Sequence, residues 1–439
     1  MTPNETWTTI AENILIPVDE QANIILEYDT MNGTINVKQA DVVLVDDFLD
    51  FPNPYSLADL DYYAGKQSLN GPGMTYGVYS IVANEISPSG CGSYTYDLYG
   101  SLPYIRAPWF QYSEQLVDDY TANGGTHPAY PFLTGMGGAH RVAIFGYLGL
   151  RLFVDTLNVD PSLPPQIPSM KYRTFYWQGH PISAFSNATH TTLERLGQSL
   201  PNANSTYASS GIPVTIGLSM NETQLLSPNS SIAILNRRAG FNATVPGNIA
   251  QCRPVTSPQD YLPGQFPLSA VDGAVSTKWE PILANTTSEL VVELEGPPVL
   301  VSGFYFDWAQ TPPTEFTIAF SNSTTEGVFT NVSYHKVEPS APFNAANVAD
   351  IVPYSSNTTE VSLDVPAYSG KYARLWIYGA ATPEFLANGT GSGATVAEWA
   401  ILRADGGQAK VKRAERDSRI LTKRYEWPVR AGFGGPGRI

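Results

Sequence analysis

The spacing of apolar residues changes along the chain. Over residues 1–155 they recur every three or four positions, which is the period of an amphipathic helix. Clusters of Pro and Gly separate these segments and predict loops between about six helices. The predicted helices fall in "TWTTIAENI", "VKQADVVLVDDF", "LADLDYYAGKQ", "GMTYGVYSIVANE", "WFQYSEQLVDDYTA" and "GAHRVAIFGYLGLRLF".

The pattern becomes strand-like after a proline-rich joint, "PSLPPQIPSM". Residues 156–250 contain "KYRTFYWQG" and "PVTIGLS", which predict strands of a small β-sandwich. In residues 251–405, β-branched and aromatic residues either alternate with polar ones or form short runs, and turns separate these stretches. This pattern is typical of a β-sandwich, which would be the second in the chain. Its predicted strands fall in "ELVVELEGP", "VLVSGFYFDWA", "EFTIAFSN", "GVFTNVSYHKV", "TEVSLDV" and "YARLWIYGA".

The last segment, 406–439, is basic, ends in a glycine-rich stretch and has no core pattern. We expect a flexible tail. The fold class predicted for the whole chain is therefore multidomain α + β. Its parts are helical (1–155), a small sandwich (156–250), a larger sandwich (251–405) and the tail.

Charge and sequons indicate the compartment. The formal net charge is −15, which argues against a nucleic-acid partner. No run of about 18 apolar residues predicts a membrane span. Asn-x-Ser/Thr sequons favour a glycosylated protein of the secretory pathway, found outside the cell, in the wall or periplasm, or in a vacuole. They begin at Asn4, Asn32, Asn187, Asn204, Asn221, Asn229, Asn242, Asn285, Asn322, Asn331, Asn357 and Asn388.

The first residues, "MTPNETWTTIAENILIPVDE", are polar and lack the apolar core of a signal peptide. Sequons without an entry signal lead us to expect the C-terminal portion of a longer secreted protein. Cys91 and Cys252 fall in different predicted domains. Two buried free thiols are the favoured interpretation, and one disulfide is the alternative.

One carboxylate stands out because of its setting. A helix beginning near Pro108 would align Glu114 with the apolar residues Phe110 and Val117 and with Thr121. A carboxylate on such a stripe must be satisfied by hydrogen bonds or be tuned for proton transfer. Donors available for the first alternative are Gln111, Gln115 or a backbone N–H.

Metal and serine-hydrolase chemistry have no support in the sequence. The histidines lack paired metal-ligand spacing, so no metal and no cofactor are predicted. No serine occupies a G-x-S-x-G elbow. The histidines are His127, His140, His180, His190 and His335.

About the first 200 residues of the chain closely resemble the fungal acid trehalases of glycoside hydrolase family 65. The segments that carry the resemblance are "VKQADVVL", "LDYYAGKQSLNGPGMTYGVYSIVAN", "SPSGCGSYTYDLYGSLPYIRAPWFQYSEQ", "NGGTHPAYPFLTGMGGAHRVAIFGYLGLRL" and "LPPQIPSMKYRTFYWQGHPISAFSNATHTTL". The resemblance implies the C-terminal part of an (α/α)6 catalytic barrel followed by the small sandwich. It also implies hydrolysis of α,α-trehalose to glucose with inversion.

Inversion needs a general acid and a general base that activates water. By resemblance, Glu114 in "QYSEQ" matches the region of the base, and Lys38 and Gln39 match the "KQAD" positions that bind sugar. The family's phosphorylases carry a Tyr-Glu-Pro and a serine-rich phosphate loop that this chain lacks, which favours water over phosphate as the acceptor. The family's general acid lies well upstream of "KQAD", so we expect this chain to lack it and to be inactive alone. The remaining carboxylates are interpreted as structural: Asp41, Asp61, Glu85 and Asp97.

The larger sandwich resembles the discoidin, or coagulation factor type C, jelly roll through "PLSAVDGAVSTKWEP", "VSGFYFDWA" and "YARLWIYGAATPE". Such domains bind sugars or surfaces through loops, which implies a possible glycan or cell-wall contact through residues 251–405. Trp279 and Trp308 are interpreted as core residues. The alternative function for the whole chain is that of a non-catalytic, secreted protein that binds glycans or the cell wall.

Overall fold

The computed structural model describes residues 5–39, 41–49, 53–68, 70–217, 222–238, 243–323, 330–337, 351 and 357–404. These residues form a mixed α/β protein with several separate sheets. The predicted tail at 406–439 lies outside the described residues.

Helices dominate the first part of the chain, as the apolar spacing predicted. They are α1 Glu5–Asn13, α2 Asp41–Leu49, α3 Ser56–Lys66, α4 Thr75–Ile86, α5 Cys91–Tyr99 and α6 Leu133–Arg141, which continues as a π-helical stretch over Val142–Tyr147. Two short hairpins interrupt them: β1 Val18–Asp19 with β2 Ile24–Ile25, and β3 Ile105–Arg106 with β4 Gln111–Tyr112.

Helix α4 is the centre of this part. Each residue from Thr75 to Asn84 is buried, and the helix packs against α2, α3, α5 and α6. Gly77 permits the closest of these approaches, because a Cβ there would overlap the backbone of Gly138 in α6. A helix that is apolar on all sides is stable only when other elements surround it.

Two four-stranded sheets follow and share one hydrophobic cluster. Their orders are β11-β10-β6-β5 and β12-β9-β8-β7, and β6 pairs with β10 in parallel while the other pairs are antiparallel. The cluster also takes in Ile81 of α4, so the helices and these sheets form a continuous core. The strands are β5 Arg151–Leu152, β6 Leu157–Val159, β7 Ser169–Trp177, β8 His180–Asn187, β9 His190–Arg195, β10 Ile212–Ile216, β11 Glu222–Leu226 and β12 Ser231–Leu235.

The third part contains two antiparallel sheets over a separate core, with orders β13-β14-β19-β16-β17 and β18-β15-β20. The six strands predicted between 289 and 380 are all present. The strands are β13 Val255–Thr256, β14 Ser288–Glu293, β15 Leu300–Asp307, β16 Glu315–Ser321, β17 Thr330–Lys336, β18 Thr358–Tyr368, β19 Tyr372–Tyr378 and β20 Glu398–Arg403, with helix α7 Pro383–Asn388 before β20.

Tryptophans fill the centre of this core. Trp279 and Trp308 are fully buried, which confirms their interpretation as core residues. The ring of Trp308 stacks on Phe306 with centroids 4.5 Å apart. Truncating either tryptophan to alanine would cost about 3–5 kcal/mol of stability.

The third part is joined covalently to the helices. Cys91, the first residue of α5, is bonded to Cys252, and their Cα atoms are 5.7 Å apart. The favoured interpretation, two free thiols, was therefore wrong. A separation of 161 residues hides the pairing in the sequence, whereas packing of α5 against the loop before β13 brings the two cysteines together. One turn further along α5, the Thr95 hydroxyl donates to buried Asp272 at 2.5 Å.

The length and composition of the helices decide whether any of them could span a membrane. Within the described ranges, none of the helices combines the length and the apolar character needed to cross a bilayer.

Candidate functional site

A cleft of about 450 Å³ opens on the helical part, where three loops meet. The first loop precedes α2, the second joins α3 to α4, and the third runs from β4 towards α6. The lining is polar and contains one lysine, one carboxylate, amides and hydroxyls. Its residues are Asn36, Lys38, Ser68, Asn70, Gly71, Glu114, Gln115, Thr126 and His127.

Glu114 lies in the third loop, directly after β4, and not in a helix. Its backbone N–H donates to the Ala129 carbonyl at 3.0 Å, and its carboxylate accepts from the Ala129 N–H at 2.9 Å. Its own carbonyl accepts from the Gly73 N–H at 2.7 Å. The donor that satisfies the carboxylate is thus a backbone N–H, one of the alternatives that the sequence left open.

The predicted helix around Glu114 was wrong because tertiary hydrogen bonds replace helical ones. The Arg106 guanidinium donates to the carbonyls of Gln115 and Leu116 at 2.9 and 3.0 Å. It also binds the Asp118 carboxylate at 2.6 Å, and the Ser113 hydroxyl donates to the same carboxylate at 2.5 Å. The hydrogen bond from Arg106 lowers the pKa of Asp118. The loop is therefore folded around one arginine.

Phe110 and Val117, the apolar positions of the predicted stripe, are exposed. Phe110 has a φ of 54°, a left-handed conformation that a right-handed helix excludes. Apolar spacing alone therefore misassigned this segment. The only sequence signal against a helix was the density of Pro and Gly on either side of it.

Gln115 connects the walls of the cleft. It is buried, and its side-chain NH₂ donates to the Asn70 carbonyl at 2.8 Å. Its side-chain oxygen accepts from the Asn123 amide at 3.0 Å and from the Thr126 hydroxyl at 2.6 Å. One amide group thus joins the second loop to the middle of the third loop. No feature of the sequence singled out Gln115 for this role.

Lys38 and Gln39 lie just before α2, which begins at Asp41, and not inside the predicted helix "VKQADVVLVDDF". Only Lys38 lines the cleft. The Gln39 amide donates to the Asp41 carboxylate at 3.1 Å. The backbone of Val37 fixes the segment, because its N–H donates to the Lys66 carbonyl at 3.0 Å and its carbonyl accepts from the Ser68 N–H at 2.8 Å. The structure therefore brings Lys38 and Glu114 to one cleft and leaves Gln39 outside its lining.

Other carboxylates that the sequence offered do not line the cleft. Asp61 accepts from the Ser276 hydroxyl at 3.0 Å, and Glu85 pairs with Arg151 at 2.9 Å. Asp97 accepts from the Tyr147 hydroxyl at 3.0 Å, and burial raises its pKa. Asp41 holds Gln39. Within the described part of the chain, Glu114 is the carboxylate that this cleft presents.

An aromatic pair stands at the edge of the cleft. The imidazole of His127, a lining residue, stacks on the Tyr120 ring with centroids 5.1 Å apart and an angle of 28°. Both residues are exposed. The loop that contains them was recognised in the sequence as rich in aromatic and hydrogen-bonding groups, but neither residue was singled out. Across the described residues, no cluster of three or more His, Cys, Asp or Glu could hold a metal ion.

Sequons occupy different environments. Those with exposed asparagines are Asn187, Asn229, Asn285, Asn322 and Asn388. Partly buried asparagines are Asn32, Asn204 and Asn357, and the Asn357 amide donates to the Ala309 carbonyl at 3.0 Å. Asn331 lies on β17, whereas Asn4, Asn221 and Asn242 lie outside the described residues.

The cleft thus presents one lysine and one carboxylate, with one aromatic pair at its edge. The chain is 48% identical over 434 residues to "Cell wall acid trehalase" of Arthroderma benhamiae, a match that covers 91% of this chain and 41% of the relative. It is 45% identical over 436 residues to "Acid trehalase" of Emericella nidulans, covering 93% and 41%. The resemblance to fungal acid trehalases is therefore confirmed, and the chain spans about two fifths of the length of these relatives.

Other comparisons are weaker. No family model matches the chain. A putative kojibiose phosphorylase from the human microbiome superposes with a TM-score of 0.36 at 12% identity, covering 52% of this chain and 31% of the other. A chitosan-binding module from a Paenibacillus chitosanase/glucanase superposes with a TM-score of 0.27 at 18% identity, covering 35% of this chain and 97% of the module. Assignment of the chain rests on the sequence relatives.

Proposed function

We propose that this chain contributes the base side of an active site that hydrolyses α,α-trehalose to glucose with inversion. The observation that carries the proposal is the meeting of Lys38 and Glu114 in one cleft. These residues come from "KQAD" and "QYSEQ", which lie in two of the segments that carry the resemblance to acid trehalases, and they are 76 positions apart in the chain (114 minus 38).

Glu114 is the proposed general base. In an inverting reaction, the carboxylate removes a proton from water while the water oxygen bonds to the anomeric carbon. The bond to the other glucose breaks, and a second carboxyl group protonates the leaving oxygen. The two groups stand about 6.5–9.5 Å apart so that the water fits between the base and the sugar. We assign the acid to none of the described residues.

Lys38 and Gln39 are the proposed sugar-binding residues. The Lys38 ammonium offers three donors to sugar hydroxyls and lies on the same cleft as the base. Gln39 would reach a sugar only by releasing Asp41. The Tyr120–His127 pair offers an aromatic face beside them.

The proposed architecture is the one that the sequence resemblance implies. Residues 1–155 are the C-terminal part of an (α/α)6 barrel, 156–250 a small β-sandwich and 251–405 a discoidin-like jelly roll. The name of the Arthroderma relative supports a location in the cell wall, among the extracellular, periplasmic and vacuolar sites that the sequons favour. A glycan or wall contact through 251–405 would use its loops, since Trp279 and Trp308 are buried.

The test is calorimetric titration of this chain with trehalose at acid pH, with glucose release measured in parallel. We expect saturable binding that the variant Lys38→Ala weakens and that Lys171→Ala, an exposed lysine on β7, does not change. Turnover by the chain would show that it also supplies the acid. Absence of both binding and turnover would overturn the proposal. Retention on wall polysaccharide without trehalose binding would favour the non-catalytic alternative.

A further inference from the structure

The segment 257–281, termed here the joining segment, links the core of the third part to that of the helices. Tyr261 packs against both cores. The Leu262 N–H donates to the Glu280 carbonyl at 2.9 Å, which closes the segment on itself. Phe266 is buried in the helical core. The third part thus inserts an aromatic side chain among the helices.

Phe266 and its neighbours hold one tyrosine of α5. The Phe266 ring meets the Tyr99 ring edge-on, with centroids 6.3 Å apart. The Gln265 amide donates to the Tyr99 hydroxyl at 3.3 Å. Gly264 has a φ of 82°, and a Cβ there would overlap the Tyr99 ring. The joining segment therefore fits closely around Tyr99.

Tyr99 begins a stack that crosses the helical part. Its ring lies parallel to Tyr76 of α4, with centroids 3.9 Å apart and an angle of 15°. The Tyr76 ring packs in turn on Tyr104, with centroids 6.3 Å apart. All three tyrosines are buried.

Tyr104 ends the stack beside the proposed base. Its carbonyl accepts from the N–H of Ser113, the residue before Glu114, at 2.8 Å. Its ring lies against Gly73, where a Cβ would overlap it. The Gly73 N–H in turn donates to the Glu114 carbonyl at 2.7 Å. Tyr104 thus supports the Glu114 backbone from two directions.

We propose that the third part of the chain positions Glu114 through the joining segment and this tyrosine stack, with Phe266, Tyr99, Tyr76 and Tyr104 as positioning residues. Packed side chains in continuous contact can transmit a displacement of this kind. The β-sandwich would then be a working part of the cleft in addition to any role in glycan binding. An effect on trehalose hydrolysis rests on the proposed function of Glu114. An effect on the stability of the backbone around Glu114 does not.

Hydrogen–deuterium exchange of the whole chain tests the proposal without any ligand. In Phe266→Ala we expect peptides covering residues 70–75 and 111–116 to exchange at least about fivefold faster than in the wild type, because local opening becomes easier. In Phe266→Leu, which keeps a large apolar side chain, the same peptides should exchange more slowly than in Phe266→Ala. The matched control is Phe320→Ala, an aromatic truncation in the sandwich core on β16, which should leave these two peptides at wild-type rates.

If Phe266→Ala does not fold, Gln265→Ala removes only the hydrogen bond to Tyr99, and we expect a smaller increase in the same peptides. Unchanged exchange near Glu114 in the folded joining-segment variants, or an equal increase in Phe320→Ala, would overturn the proposal. Trehalose titration of the wild type and the same variants separates the proposed function of the cleft from the proposed positioning of Glu114. A wild type that fails to bind trehalose contradicts the proposed function, while the exchange rates still decide whether the joining segment positions Glu114.

Discussion

Glu114 and Ala129 are joined by two hydrogen bonds, one through the Glu114 backbone and one through its carboxylate. The pair joins two positions of one loop that are 15 residues apart in the chain. A carboxylate held by a backbone donor cannot turn away freely, because rotation would leave a polar group without its partner. The orientation of the proposed base is thus set by the backbone of the loop that it belongs to.

Replacing Glu114 by Gln should leave the loop intact, because the amide oxygen still accepts from the Ala129 N–H. It should reduce trehalose hydrolysis by about 10²- to 10⁴-fold, since an amide cannot take the proton of the attacking water. Because this chain is expected to lack the general acid, hydrolysis is measured in a whole acid trehalase changed at the matching glutamate, and trehalose binding is measured in this chain. Glu222→Gln, at an exposed position on β11, is the control. Near-normal turnover in the Glu114 variant would contradict its assignment as the base.

Replacing Lys38 by Ala should weaken trehalose binding by about 10- to 150-fold, which corresponds to the loss of one hydrogen bond from a charged donor, about 1.5–3 kcal/mol. Calorimetric titration measures the dissociation constant, and circular dichroism checks the fold. Because the Lys38 side chain is exposed, the melting temperature should stay unchanged. An unaltered dissociation constant would remove Lys38 from the binding site.

Removing the disulfide with Cys91→Ser and Cys252→Ser should lower the free energy of unfolding by about 2–5 kcal/mol, because the bond closes a loop of 161 residues in the unfolded chain. Urea denaturation under non-reducing conditions measures the change. The reduced wild type should match the double variant. A midpoint that neither treatment shifts would show that this bond does not stabilise the fold.

Stability should rise as the pH falls from 8 to 5. Burial raises the pKa of Asp59 to about 7 and that of Asp46 to about 6, from 3.8. Between pH 4 and 7 the native protein therefore binds more protons than the unfolded chain, so its free energy of unfolding decreases as the pH rises through this window. Each unit of raised pKa is worth at most about 1.4 kcal/mol.

The variant Asp59→Asn removes the titrating carboxyl. Its side-chain oxygen can still accept from the Ile25 N–H that Asp59 binds at 2.9 Å, whereas the hydrogen bond that the Asn53 amide donates at 2.8 Å is lost. Its melting temperature should vary less between pH 5 and 8 than that of the wild type. Asp155→Asn, at an exposed position, should keep the wild-type dependence. An Asp59 variant with the same dependence as the wild type would show that this carboxyl does not titrate as its burial implies.

The spacing of apolar residues correctly predicted those helices and strands whose apolar face is also the face that is buried. Helix α4 and the strands of the third part bury long, regular apolar surfaces, so their spacing was sufficient to identify them. The segment around Glu114 was misassigned because its backbone is held by Arg106, which lies outside the window that periodicity examines. The disulfide was missed for the same reason, since its partners are distant in the chain.

The sequence by itself determined the order of helical and strand-rich parts, the acidic charge and the segments that resemble acid trehalases. These properties depend on neighbouring residues or on composition. Only the tertiary structure decided that Lys38 lines the cleft and Gln39 does not, that Ala129 holds Glu114, and that Cys91 meets Cys252. Each of these facts is a contact between segments far apart in the chain, and such contacts form only when the buried cores bring those segments together.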